Sequence, residues 1–144
     1  MRRFFLVLAI ALAVAVSPSS AQSSDDARAV VRDITEAMVG GNTDVVSRIS
    51  GPQVEVSVDG QTSVYTKAQA RYVTGAFLDR HPVREARVRE VNVVGRQCTA
   101  KSRLMGGDRS EAWDLFLRLR RTGGGWELKE LRFTPVAPIG GRQG

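Results

Sequence analysis

The sequence predicts an α+β domain in which three helices gather on one face of a curved antiparallel sheet, in the order α-α-β-β-α-β-β-β-β. Three observations carry this. Apolar residues recur at helical spacing near the start, a capped helix interrupts runs of alternating residues, and four longer alternating runs follow it, parted mainly by glycine turns.

Ser23-Ser24 precede an amphipathic helix whose Ala27, Val30, Val31, Ile34, Ala37 and Met38 fall on one face. Asp25-Asp26 suit its positive end, and Gly40-Gly41 stop it. Asn42 or Thr43 caps a second helix over 44–49, carrying Val45, Val46 and Ile49, which Ser50-Gly51-Pro52 break. Residues 54–58 alternate and run into Asp59-Gly60, a two-residue hairpin signal, with the return strand over 62–65. Thr66 and Gln69 have capping-box spacing, so a third helix starts at Lys67. Its expected buried face is Ala68, Tyr72, Val73, Ala76 and Phe77, and Pro82 ends it.

The rest reads as strands. Over 84–94 the apolar positions shift phase from Ala86 and Val88 to Val91 and Val93, which predicts a bulge. Residues 97–105 put Cys98, Ala100, Ser102 and Leu104 on one side, and Gly106-Gly107-Asp108 turn the chain. Trp113, Leu115, Leu117 and Leu119 then point one way and Asp114, Phe116, Arg118 and Arg120 the other. Gly123-Gly124-Gly125 make the last turn, lacking the lysine and following helix of a phosphate loop. Residues 126–133 form the final strand, and 135–144, rich in proline and glycine, read as a flexible tail.

The first 21 residues have the three parts of a secretory signal peptide: basic Met1-Arg2-Arg3, an apolar run from Phe4 to Val16, and a small-residue exit with Ser19 and Ala21 at the cleavage positions. The run is shorter than the roughly 20 residues a transmembrane helix needs. Cleavage after Ala21 leaves one domain over 22–134 and its tail, free in the periplasm or outside the cell. Gln22, not a cysteine, follows the cleavage point, so no lipid anchor is expected. Cys98 is the only cysteine, which excludes an internal disulfide.

The net charge is +6, with 18 arginines and 3 lysines. Residues 22–62 carry −4 and residues from 63 onward +8, an imbalance that favours anionic ligands, anionic partners or a second copy. Nucleic acid is not expected, because few exposed aromatics interleave the bases.

The helix pair ending in a Gly-Gly-Asn turn, the short strand pair, the segment Val64-Tyr65-Thr66-Lys67-Ala68-Gln69-Ala70 and the closing Gly-Trp-Glu-Leu-Lys-Glu-Leu-Arg-Phe resemble the nuclear-transport-factor-2-like superfamily over about residues 25–134. In particular they resemble a branch of secreted bacterial proteins known as a domain of unknown function. The resemblance implies a cone-shaped α+β barrel with a pocket between sheet and helices, often paired into a homodimer through the sheet. Steroid-isomerase-like members carry a tyrosine, a carboxylate base and a second acid. The matching positions here are Ile34, Ser57 and Leu115 or Asp114, so that chemistry does not carry over.

The reading that results is an exported, non-catalytic domain binding a small ligand or a partner protein. Tyr72, Phe77, Trp113 and Phe116 would shape the pocket and Arg118 and Arg120 would supply positive charge. Its alternative is a lyase- or isomerase-type pocket enzyme using His81, the only histidine, with Tyr65 or Tyr72. Asp108, Glu111 and Asp114 are read as partners of neighbouring arginines, and no metal or cofactor is called for.

Overall fold

The structure, a computed structural model, describes residues 20–107 and 111–136. The signal-peptide reading of residues 1–19, Asp108 and the tail beyond Val136 lie outside the described residues. The elements are α1 (Ser20–Met38), α2 (Asp44–Ile49), β1 (Ser50–Val58), β2 (Gln61–Tyr65), α3 (Lys67–Arg80), β3 (Val83–Val94), β4 (Gln97–Gly106), β5 (Ala112–Thr122) and β6 (Gly125–Pro135), in the expected order.

Local signals place most boundaries. The α1 helix ends where Gly40 and Gly41 take φ of +84° and +73°, a region costly for other residues. Asp59 and Gly60 both have positive φ and close the β1–β2 hairpin with Val58 opposite Gln61. At α3 both halves of the capping box form: Gln69 N–H donates to Thr66 Oγ1 at 3.3 Å, and Thr66 N–H donates to Gln69 Oε1 at 3.1 Å.

Three boundaries differ from expectation. Ser23-Ser24 lie inside α1 rather than before it, and Ser23 is buried against the β5–β6 hairpin. Trp126 Nε1 donates to the Ser23 carbonyl at 3.3 Å, and Arg121 donates to Ser23 Oγ at 2.8 Å. Ser50-Gly51-Pro52 end α2 but also open β1, with a register break between Ser50 and Glu55 that accommodates exposed Pro52. Pro135 belongs to β6, opposite Trp113, and Val136 N–H donates to the Ala112 carbonyl at 2.9 Å, so residue 135 is held in the sheet.

The six strands form one curved sheet in the order β2-β1-β6-β5-β4-β3. It is mixed, not wholly antiparallel, because β1 and β6 run parallel. Every other neighbouring pair is antiparallel, and four of the five pairs are joined by a short turn that fixes their direction. No turn joins β1 to β6, so alternation along either strand carries no signal of their relative direction. The phase shift in β3 is a register break between Val88 and Glu90.

The core lies between the sheet's inner face and the helices. The predicted stripe of α1 is buried or half-buried, and Leu115, Leu117 and Leu119 are fully enclosed. A polar contact crosses it: the hydroxyls of Thr35 on α1 and Ser102 on β4 share a hydrogen bond of 2.8 Å. The α3 helix is rotated from expectation, burying Ala70, Thr74, Phe77 and Leu78 while Ala68 and Tyr72 are exposed. Small and apolar residues stand all round this helix, so its periodicity does not select a face.

Thr74 Oγ1 is buried without a hydrogen-bond partner among the described residues. Thr74→Val removes the unpaired hydroxyl at constant shape and should raise the unfolding free energy by about 1 kcal/mol in urea titration. Cys98 is fully buried, and burial pushes its thiol above the ordinary range against a weaker downward pull from Arg28. The folded chain therefore keeps a proton that the unfolded chain loses. The site's contribution to stability is intact below the ordinary thiol range, near pH ~8.5, and declines as pH rises through it. A thiol reagent at that pH should label Cys98 only as fast as the chain opens, and at once in denaturant.

Candidate functional site

A cleft of about 460 Å³ opens at one end of the sheet, where the β1–β2 turn, the end of α3, the start of β5 and the end of β6 meet. Its floor is aromatic. The Phe77 ring centroid lies 4.9 Å from His81, 4.4 Å from Phe133 and 5.8 Å from Trp113, the last edge-on. His81 in turn lies 5.0 Å from Trp113. Such tilted and edge-on pairs each add about 0.5–1.5 kcal/mol beyond area burial, so the cluster is a firm surface.

Local structure explains each position. Phe77 is on the inward face of the last turns of α3. His81 caps that helix, its N–H donating to the Phe77 carbonyl at 2.9 Å, and Pro82 follows. Trp113 and Phe133 are inward residues of β5 and β6, directed by strand alternation. Asp59 and Gly60 from the hairpin turn, exposed Glu111, Ala112, Pro135 and Val136 complete the rim.

The residues expected to form one pocket fall in three places. Phe77 and Trp113 line this cleft together with His81. Tyr72 stands 78% exposed on the outside of α3, beside a separate groove with Arg71, Gly75 and Asp79. Phe116, Arg118 and Arg120 lie on the outer face of the sheet, away from the helices, because they alternate with the inward leucines of β5. There the Arg132 guanidinium sits 5.5 Å from the Phe116 ring, Arg118 Nε is 3.5 Å from Glu130 and Arg132 is 2.7 Å from the same carboxylate. Arg118 and Arg120 thus do not reach the cleft, and Arg118 is paired within the sheet surface.

The histidine–tyrosine pair is not assembled either. Tyr65 is half-buried against the core at the end of β2, and neither it nor Tyr72 lines the cleft. The positions matching the isomerase residues are unsuited to proton transfer. Ile34 and Leu115 are fully buried, Ser57 accepts a hydrogen bond from Thr62 at 3.0 Å, and Asp114 pairs outward with Arg103 at 2.8 Å. Among the described residues no group of three His, Cys, Asp or Glu side chains could hold a metal ion. None of the described helices is long and apolar enough to cross a membrane.

Sequence reasoning missed Asp59, Glu111 and Phe133 as neighbours of His81. The hairpin signal at Asp59-Gly60 was legible, but its closeness to the end of α3 depends on how the sheet is assembled.

Comparison with known proteins fits this geometry. A family described as a domain of unknown function, DUF4783, matches residues 31–134. The fold is similar to that of a DUF4783 family protein from Bacteroides uniformis ATCC 8492, at 15% identity and TM-score 0.67, with 74% of this chain and 96% of that one covered. A DUF4783 family protein from Bacteroides ovatus ATCC 8483 is similar at 13% identity and TM-score 0.66, covering 72% and 93%. An NTF2-like protein of unknown function from Shewanella baltica OS155 is similar at 14% identity and TM-score 0.64, covering 84% and 99%. No curated protein matches. With the family match running from the middle of α1 almost to the end of β6, and with these neighbours sharing its curved sheet and helices, the chain belongs to the DUF4783 family and has the nuclear-transport-factor-2-like fold.

Proposed function

We propose that this chain is an exported, non-catalytic domain that holds a small ligand in the cleft at the end of its sheet. The observation that carries the reading is the aromatic floor of Phe77, His81, Trp113 and Phe133, brought from three distant segments to the base of one open concavity. Export rests on the sequence of the first 21 residues. Binding without turnover is favoured because His81 has no tyrosine beside it in the cleft, the pair on which the enzymatic alternative relied.

Native mass spectrometry of the mature domain, purified from its exported fraction, should find a small molecule retained. His81→Ala removes the half-buried ring that packs against Trp113 and Phe77, and should lower the retained fraction severalfold. A domain that emerges empty, and whose Trp113 fluorescence no aromatic probe of any charge perturbs, would remove the cleft from consideration. Loss of a measured turnover in the folded His81→Ala protein would instead favour the enzymatic alternative.

A homodimer or partner protein would meet the outer face of the sheet, where Phe116 lies half-buried beside Arg132 and Arg120 is exposed. Sedimentation of the wild-type chain should show a dimer that Phe116→Glu and Arg120→Glu together convert to monomer. A wild-type monomer at all concentrations tested rules this pairing out.

A further inference from the structure

We infer that the ligand of the cleft is a monovalent organic cation, a quaternary or protonated amine with an apolar body; this rests on the binding role proposed above. Charge is the first argument. The chain is basic overall, and three other charged grooves each include a base: Arg71 with Asp79 on α3, Lys101 with Glu90, and Arg87, Arg89 and Arg103 with Glu85 on the outer sheet. The aromatic cleft is lined by Asp59 and Glu111 and, among the described residues, by no lysine or arginine.

The two carboxylates are not equivalent. Arg80 holds Asp59 at 2.8 Å, whereas Glu111 makes no ion pair among the described residues. Among the described residues the rim thus presents about one uncompensated negative charge, which suits a single positive charge. An anion would meet this carboxylate, and the arginine nearest the rim among the described residues, Arg80, is already paired with Asp59. A hard metal ion would need several converging oxygens, and the described residues provide no such group.

The floor supplies the second argument. Ring faces attract a cation through their quadrupole, most strongly for tryptophan, and the gain rises when the cation is weakly hydrated. A quaternary ammonium is such a cation, and its methyl groups would rest against half-buried His81 and the part of Trp113 left open, with buried Phe77 and Phe133 packed beneath them and Glu111 at the mouth.

The test compares three probes of similar shape: benzyltrimethylammonium, its uncharged carbon isostere neopentylbenzene, and the anion phenylacetate. Binding to the mature domain is read from Trp113 fluorescence in a Trp126→Phe background. The cation should bind about tenfold more tightly than the neutral isostere, with phenylacetate weakest. Glu111→Gln, an exposed change, should erase most of that preference. Equal binding of cation and isostere, or a preference insensitive to Glu111→Gln, overturns the charge inference and leaves the binding role standing. Tighter binding of phenylacetate overturns it in the opposite sense. If no probe binds to a domain that circular dichroism shows to be folded, both the inference and the binding role fall together.

Discussion

Everything at the cleft end of this molecule depends on β1 lying beside β6. That parallel pair is the seam between two pieces of chain: the β1–β2 hairpin, and the four-stranded run from β3 to β6. Because β2 and β3 are opposite edges of the sheet, α3 must travel from one edge to the other beneath its concave face. Seam and crossover together bring the Asp59-Gly60 turn, the end of α3 and the ends of β5 and β6 to one corner. The contact is non-local, so its closure entropy is offset only when the buried faces of α1 and α3 dock as well.

The polar groups of the core fit the same logic. Thr35 and Ser102 satisfy one another across the interface of α1 and β4, a directional contact in a core otherwise held by shapeless apolar attraction. On the outer face, Arg103 with Asp114 and Arg118 with Glu130 link adjacent strands, while Arg132 reaches Glu130 along β6 itself. Arg103 and Asp114 are partly exposed, and such pairs contribute on the order of a fraction of a kcal/mol each. They explain where the arginines go more than why the sheet is stable.

Local chemistry made much of this fold legible. The capping box at Thr66, the Asp59-Gly60 turn, the Gly40-Gly41 stop and the phase shift in β3 are each decided within a few residues, and each lies where its pattern puts it. What could not be read was whatever depends on distant segments meeting. The direction of β1 against β6 is one case, and the rotation of α3, whose small residues suit either face, is another. The site suffered most from this. Alternation along β5 separates Trp113 from Phe116 and Arg118, yet the sequence cannot say which side holds the cleft. Glu111 and Asp59 are 52 positions apart and become neighbours at the cleft only through the seam.

The anchoring of Ser23 bears on the order in which the two ends of the chain come together. Trp126 and Arg121 hold this serine, near the start of α1, from positions 103 and 98 residues further along the chain. The opening turns of the first helix therefore find their docking partner only once β5 and β6 exist. The beginning of the first element is among the last parts of the fold to be fixed.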